Sequence, residues 1–205
     1  MKKPMADIAV AALDQGLHTP GDAIPDTHPL DLADGPVAAD FWIDGDLGFV
    51  LLLHRRDDGF VASEVYYSLK GEDHRWTDVE HLSGEIVGFD LESSSAAEDI
   101  LSGASVVVLS ESESRVFTGH CDDDDGGELV RLYELLASDA VGSLQIEKSG
   151  PGTEPDPTVF QKNLTSRVAV VAVRPGERLR VVPLERSGSK SPTARGGLDL
   201  FSSRA

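Results

Sequence analysis

The chain has 205 residues, a hydrophobic fraction of 40% and a formal net charge of −18 at pH 7. This length suits one domain with a hydrophobic core, and the single cysteine, Cys121, excludes an internal disulfide. No apolar run approaches the ~20 residues of a membrane-spanning helix. Because Pro4, Asp7 and Asp14 interrupt the segment that follows Met1-Lys2-Lys3, it does not read as a signal peptide, and we expect a cytoplasmic protein.

Charge is divided unevenly along the chain. Residues 1–160 contain 9 Lys/Arg and 33 Asp/Glu, whereas residues 161–205 contain 9 Lys/Arg and 3 Asp/Glu, so the net charges are −24 and +6. Binding to nucleic acid depends on neutralising phosphates with Lys and Arg, and the acidic body therefore predicts no nucleic-acid partner. It is expected to attract a basic protein or cations instead.

The first 36 residues are predicted to form a helix and a linker. The helix is expected from Met5 to Leu17, with Gly16 as a stop signal. Residues 18–39 contain four prolines and no periodicity, which is typical of an extended segment laid over a surface. We divide the chain into an N-terminal helix and Pro-rich linker (1–36), one β-rich acidic domain (37–186) and a disordered basic tail (187–205).

Short strands separated by turns are predicted from residue 41 onward. Asp44-Gly45 and Asp58-Gly59 are dipeptides typical of tight turns, and they separate three runs of strand character. The nearly continuous apolar run in the second of these predicts a strand covered on both faces. The predicted strands are Phe41–Ile43, Leu47–Leu53, Phe60–Leu69, Trp76–Leu82 (a poor pattern), Glu85–Leu91, Val106–Leu109 and Arg115–Phe117 (joined by a Ser110–Ser114 turn) and Ser143–Glu147.

Two helices are predicted within this domain. A short one is expected at Ser93–Leu101, with Ser93 or Ser94 as the N-cap. Another is predicted at Glu128–Ala137, where Arg131 and Glu134 would lie on the polar side. The apolar positions with helical spacing in this second segment are Leu129, Leu132, Leu135 and Leu136.

A β-hairpin is predicted near the end of the domain. Val168–Val173 and Leu179–Leu184 flank Arg174-Pro175-Gly176-Glu177, which has the residues of a type II turn. The first arm is apolar on both faces and predicts a central strand, and Pro183 predicts an edge position for the second. The whole pattern predicts a mainly β fold with a few short helices, an antiparallel β-sandwich or rolled β-sheet.

One acidic segment is a candidate metal site. His120 and Cys121 precede four consecutive aspartates, and a divalent cation would have His120, Asp122 and Asp124 as its first candidate ligands. The spacing does not match a calcium loop. The alternative interpretation is a solvated acidic loop that complements the positive end of the helix predicted to follow. The functional hypothesis attached to this segment is a metal-dependent hydrolase or a metal-binding protein.

Other clusters give weaker indications. His54-Arg55-Arg56, with Glu64 on the next strand, would bind a phosphate or carboxylate, or else the arginines would pair with neighbouring carboxylates. Glu80 and His81 would point to opposite faces of a strand and would not form a simple pair. The sequence contains no Gly-x-Ser-x-Gly elbow, P-loop or dinucleotide-binding glycine motif. We therefore assign no catalytic residue and expect a protein that is not an enzyme and needs no cofactor.

The basic tail carries a candidate partner-binding motif. Leu198, Leu200 and Phe201 would dock into a groove of a partner, and Arg195 would steer the approach together with Arg178 and Arg180, which share one face of the last strand. The alternative is that the tail folds back against the acidic body or is unconstrained.

The functional prediction is a cytoplasmic acidic β-rich protein-interaction module that binds a basic protein. An adaptor, a regulator, an assembly factor or an immunity-type inhibitor would all fit this description. A DNA-mimicking inhibitor, in which carboxylates stand in for phosphates, is a weaker alternative. No membrane partner is expected, and the oligomeric state stays open.

Overall fold

The computed structural model describes residues 4–18, 30–118, 126–150, 157–186 and 197–202. Within them the chain forms two helices and eleven strands. The helices are α1 (Met5–His18) and α2 (Ser94–Leu101), and the strands are β1 (Val37–Asp44), β2 (Leu47–Arg55), β3 (Val61–Leu69), β4 (Glu80–Val87), β5 (Val106–Phe117), β6 (Gly127–Ala137), β7 (Val141–Ser149), β8 (Thr158–Asn163), β9 (Val168–Val173), β10 (Arg178–Glu185) and β11 (Leu198–Phe201).

The strands form three antiparallel sheets. The first sheet has the order β1-β2-β3-β4, the second β5-β6-β9 and the third β11-β10-β7-β8. The architecture is β-rich and sandwich-like, and it confirms the predicted fold class. The predicted meander of β1, β2 and β3 is also confirmed, because β2 pairs with β1 on one side and with β3 on the other.

Helix α1 covers one face of the first sheet. Its buried Ala9 and Leu13 pack with Val50 and Leu52 of β2 in a small separate cluster. The helix approaches the strand closely at Gly48, where an added Cβ would lie 2.7 Å from a methyl carbon of Leu13. The other face of β2 contributes to the main core, so the prediction that this strand is covered on both faces is confirmed.

The main core is shared by all three sheets and α2. It contains Phe49 and Leu51 of the first sheet, Leu132 of the second and Leu144 of the third. Helix α2 contributes Leu101, and its N-terminus is capped as predicted, because the Ser93 hydroxyl accepts the N–H of Ala96 at 3.3 Å.

The predicted helix at Glu128–Ala137 is wrong, because this segment is strand β6. The strand lies between β5 and β9 and pairs with both. Leucines therefore occupy both of its faces, and most of its second half is buried. A strand covered on both sides has no period of two, so its apolar residues can fall at helical spacing by chance. The pairing of this segment with two neighbouring strands therefore outweighs the helical spacing of its leucines.

The predicted hairpin is half right. The Glu177 N–H donates to the Arg174 carbonyl at 3.0 Å, and Gly176 has φ of +77°, as a type II turn requires. The two arms do not pair with each other, however, because β9 pairs with β6 and β10 pairs with β7. The turn thus carries the chain from the second sheet to the third. Pro183 pairs with β7 only, beyond the four residues that pair with β11, which agrees with its predicted edge position.

Two strand boundaries in the middle of the chain also differ from the prediction. Residues 106–117 form the single strand β5, which pairs with β6 from one end to the other. The predicted turn at Ser110–Ser114 is therefore wrong. Trp76 makes only an isolated bridge with Lys70, and β4 starts at Glu80 and ends at Val87. His74 has φ of +61°, which belongs to the turn that precedes these residues.

A buried carboxylate joins the three sheets. The ladder between β1 and β2 shifts at Ala39, and Asp40 next to it is buried. Its carboxylate accepts the N–H of Val170 in β9 at 2.7 Å and the ammonium of Lys162 in β8 at 2.8 Å. The Lys162 ammonium also donates to the Phe41 carbonyl and lies 5.9 Å from the centre of the Trp42 ring. Burial raises the pKa of Asp40, while Lys162 and the Val170 N–H act in the opposite direction.

Replacing this lysine is expected to destabilise the fold strongly. In Lys162→Met the Asp40 carboxylate loses its counter-charge inside the protein, and the free energy of unfolding should fall by about 3–5 kcal/mol at neutral pH. The loss should be smaller at acidic pH, where a protonated Asp40 needs no counter-charge. Urea unfolding at several pH values measures both effects. Adding Asp40→Asn to the Lys162→Met variant should recover most of the lost stability. The control Lys70→Met should lower the free energy of unfolding by less than about 1 kcal/mol. Equal losses for the two lysine variants would contradict this account.

Candidate functional site

The C-terminal strand brings most of the predicted partner-binding residues together. Strand β11 lies along β10, with Phe201 opposite Arg178, Leu200 opposite Leu179 and Asp199 opposite Arg180. Arg195 lies outside the described residues. The prediction of a disordered tail is therefore wrong for residues 198–201, which complete the edge of the third sheet.

The side chains of β11 divide between the core and the surface. Leu200 is only 2% exposed and belongs to the main core, whereas Phe201 is 47% exposed. The guanidinium carbon of Arg178 lies 5.7 Å from the centre of the Phe201 ring. The Tyr133 hydroxyl donates to the Phe201 carbonyl at 2.8 Å, and the Gly176 N–H donates to the hydroxyl of Ser202 at 2.9 Å. These contacts hold the segment against its own chain.

Two substitutions in β11 should therefore differ in their effect on stability. Leu200→Ala removes a buried side chain from the core and should lower the free energy of unfolding by about 2–4 kcal/mol. Phe201→Ala, next in the strand but half exposed, should lower it by less than about 1 kcal/mol. Chemical denaturation of both variants checks the difference. A Leu200→Ala protein as stable as the original would show that β11 does not dock in solution.

A second candidate is a strongly acidic segment of the chain. Between Glu72 and Ser114 the sequence has eleven carboxylates and one Lys/Arg, Arg75. The segment spans β4, α2 and most of β5, and all eleven acidic residues are exposed. We call them the acidic surface; its members are Glu72, Asp73, Asp78, Glu80, Glu85, Asp90, Glu92, Glu98, Asp99, Glu111 and Glu113.

Some of these carboxylates have partners within the chain and others do not. Arg131 pairs with Glu111 at 3.0 Å and Glu113 at 3.3 Å, and Arg55 pairs with Glu92 at 2.7 Å. In contrast, residues on β4 and α2 make no ion pair within the part of the chain that the structure describes; these are Glu85, Glu98 and Asp99. Their charge is open to a partner molecule.

Glu134 is a buried carboxyl close to Glu85 of the acidic surface. Glu134 of β6 points to β3, where the Ser63 hydroxyl donates to it at 3.1 Å. Burial raises the pKa of Glu134 to about 7, the nearby charge of Glu85 adds to the rise, and the Ser63 bond opposes it. The predicted position of Glu134 on the polar side of a helix is wrong, because this segment is strand β6.

The stability of the protein should depend on the ionisation of Glu134. Because its pKa rises from 4.5 in a model peptide to about 7 in the folded state, the folded state is stabilised by the bound proton at acidic pH. That contribution is lost as the pH rises through 7. Glu134→Gln removes the ionisation. The free energy of unfolding of the variant should therefore be up to about 3 kcal/mol higher than that of the original protein at pH 8, and equal to it near pH 4.

Thermal or urea unfolding between pH 4 and pH 8 tests this prediction. Glu98→Gln, which removes an exposed carboxylate, is the matched control and should follow the original protein across the range. Parallel profiles for Glu134→Gln and the original protein would contradict the proposed cause.

A histidine–glutamate–histidine cluster lies on the α1 side of the first sheet. The Glu64 carboxylate contacts His54 Nε2 at 3.5 Å and His81 Nε2 at 2.5 Å. Gly84 on β4 makes this possible, since an added Cβ there would overlap the Glu64 carboxylate. The sequence predicts the proximity of Glu64 to His54 but not that of His81, because a bulge in the β3–β4 ladder places His81 opposite Tyr66.

The other predicted features of this region have simpler roles. Arg56 pairs with Asp58 at 2.9 Å, and Arg55 pairs with Glu92, so both arginines bind carboxylates of the chain. Glu80 accepts from the Tyr67 hydroxyl at 2.8 Å, while His81 contacts the ring of Tyr66 on the other face. Their predicted opposite orientation is confirmed.

The candidate metal ligands cannot be placed. His120, Asp122 and Asp124 lie outside the described residues. Across the ranges that the structure covers, no group of three or more His, Cys, Asp or Glu side chains is arranged to hold a metal ion.

Comparison with known proteins gives no match: no family model, no curated protein and no solved structure corresponds to this chain. Neither described helix has the length and apolar character needed to cross a bilayer.

Proposed function

We propose that this chain is a protein-interaction module whose acidic surface binds a basic protein partner. An adaptor, regulator, assembly factor or immunity-type inhibitor would use such a surface, and a cytoplasmic location is part of the proposal. The observation that carries it is the concentration of eleven exposed carboxylates with one Lys/Arg between Glu72 and Ser114.

The distribution of charge supports binding through this surface. Three exposed arginines lie on the third sheet, outside the acidic segment. Arg178 and Arg180 belong to β10, and Arg186 follows it directly. A surface of one sign steers a partner of the opposite sign and sets its orientation. Glu85, Glu98 and Asp99 make no ion pair with the described residues, so they can bind cationic groups of a partner without breaking a salt bridge among those residues.

The apolar motif of the tail is a weaker candidate for the docking site. Leu200 is buried in the protein's own core, and Leu198 packs against it. A partner that took these residues would have to replace the pairing of β11 with β10. Phe201 and the two arginines, Arg178 and Arg180, remain exposed and can contribute to binding at the edge of the sheet.

Neutralising the acidic surface should abolish binding. The variant Glu85→Gln, Glu98→Gln and Asp99→Asn removes three exposed charges that form no ion pair with any residue the structure describes, so its fold should not change. In an affinity pull-down from host lysate at low ionic strength, the original protein should capture a basic protein that this variant does not. Raising the salt concentration should weaken the capture, because exposed charges are screened over about 10 Å at 0.1 M salt.

The matched control removes three charges elsewhere. Asp7→Asn, Asp14→Asn and Asp34→Asn changes the net charge equally but lies outside the acidic surface, and this variant should bind normally. If both variants lost binding equally, the effect would come from net charge alone, and that result would contradict a defined site. If the captured protein binds DNA and duplex DNA displaces it from the complex, the acidic surface acts as a DNA mimic.

Metal binding at His120, Asp122 and Asp124 remains a separate proposal. Elemental analysis of the purified protein and of Asp122→Ala and Asp124→Ala tests it directly. Stoichiometric metal that is lost in these variants would support it, and metal-free protein with an unchanged Tm in calcium, manganese and zinc would contradict it.

A further inference from the structure

A cavity of about 350 Å³ lies where five separate segments of the chain meet. Its volume falls in the range of about 300–1,000 Å³ that is typical of small-molecule sites. The segments are the stretch at Leu30, the approach to α2, the connection between β6 and β7, the connection between β8 and β9, and the end of β10. None of the groups assigned to partner binding above is needed to form it, apart from Glu92.

Two arginines line this cavity in a protein of net charge −18. Arg167 is 12% exposed at its side chain, and its Nη2 pairs with Asp139. Its Nη1 is buried and has no hydrogen-bond partner among the residues that the structure describes. An unsatisfied buried donor is costly, more so on a charged group, so the guanidinium has binding capacity that these residues do not use. Arg186 donates through Nε to the Asp139 carbonyl at 3.1 Å.

The carboxylate that holds Arg167 is itself easily displaced. The Asp139 side chain is 63% exposed, so it returns to water at little cost if another anion takes its place. A ligand carboxylate that accepts from both terminal nitrogens of Arg167 would form the two-pronged geometry that a guanidinium favours. It would also satisfy the nitrogen that lacks a partner.

The rest of the lining favours an acid with an apolar body. Leu30, Leu91 and Val141 supply apolar surface, and Ser94 and Ser138 supply hydroxyls. Ser94 is the first residue of α2, so the positive end of that helix also faces the region. The other lining carboxylate, Glu92, is already paired with Arg55.

We propose that this cavity binds a small organic carboxylic acid, with the carboxylate on Arg167 and Arg186 and an apolar body against Leu30, Leu91 and Val141. The cavity shares one residue, Glu92, with the acidic surface proposed for protein binding, and Glu92 is paired with Arg55. The residues proposed to hold the ligand, Arg167 and Arg186, are not part of that surface, so either proposal can fail without the other.

Titration of the full chain with hexanoate, followed by backbone amide NMR shifts, tests the proposal. Hexanoate should give saturable shifts at Ser94, Ser138 and Val141, whereas the uncharged isostere hexanamide should give none. Arg186→Gln should raise the Kd for hexanoate about tenfold, which corresponds to about 1.4 kcal/mol of binding free energy. Arg180→Gln, an exposed arginine of β10 that does not line the cavity, is the matched control and should leave the affinity unchanged.

Two further variants separate a ligand site from a structural role of the arginines. Asp139→Asn removes the internal competitor of the ligand and should tighten binding of hexanoate. Arg167→Lys keeps the charge but not the two-pronged geometry and should weaken it. The proposal is overturned if hexanoate gives no saturable shift, if Arg180→Gln and Arg186→Gln weaken binding equally, or if only inorganic phosphate binds.

Discussion

The buried carboxylate of Asp40 is the contact on which the arrangement of the sheets depends. Strand β9 pairs with β6 on one side, and on its other side it approaches β1 without a ladder between them. The Asp40 carboxylate accepts the Val170 N–H there, and so satisfies a donor that would otherwise be buried without a partner. Lys162 brings β8 to the same point. One side chain at a bulge thus takes the place of strand pairing at the junction of three sheets.

The same contact positions the cavity. Ser166 and Arg167 lie in the short connection between β8 and β9, and this connection is held at both ends. Lys162 contacts Asp40 before it, the Thr165 hydroxyl donates to the Ala39 carbonyl at 3.1 Å within it, and Val170 contacts Asp40 after it. These contacts fix the backbone that carries Arg167, and they therefore hold its largely buried guanidinium at the cavity.

How much of this molecule follows from its sequence depends on whether the information is local. The Asp44-Gly45 turn, the Ser93 cap and the turn at Gly176 are all predicted, because each depends on a few neighbouring residues. Which strands pair is not local. The leucines of β6 have helical spacing until two neighbours cover both faces, and β9 separates from β10 because each finds a partner elsewhere. Sites follow the same division: the acidic segment is visible in the sequence, whereas the cavity needs the fold.

Protection of sheet edges is a competing explanation for the acidic surface. Strands β4 and β5 are edges of their sheets, and charged residues on edge strands prevent pairing with other chains. This accounts for the charges on the strands themselves, such as Glu85 and Glu113. It does not account for those on α2 or the loops, because Glu98, Asp99 and Glu72 lie on no sheet edge. Within the described ranges these three charges have no counter-ion, and a basic partner is the interaction that would offset their mutual repulsion.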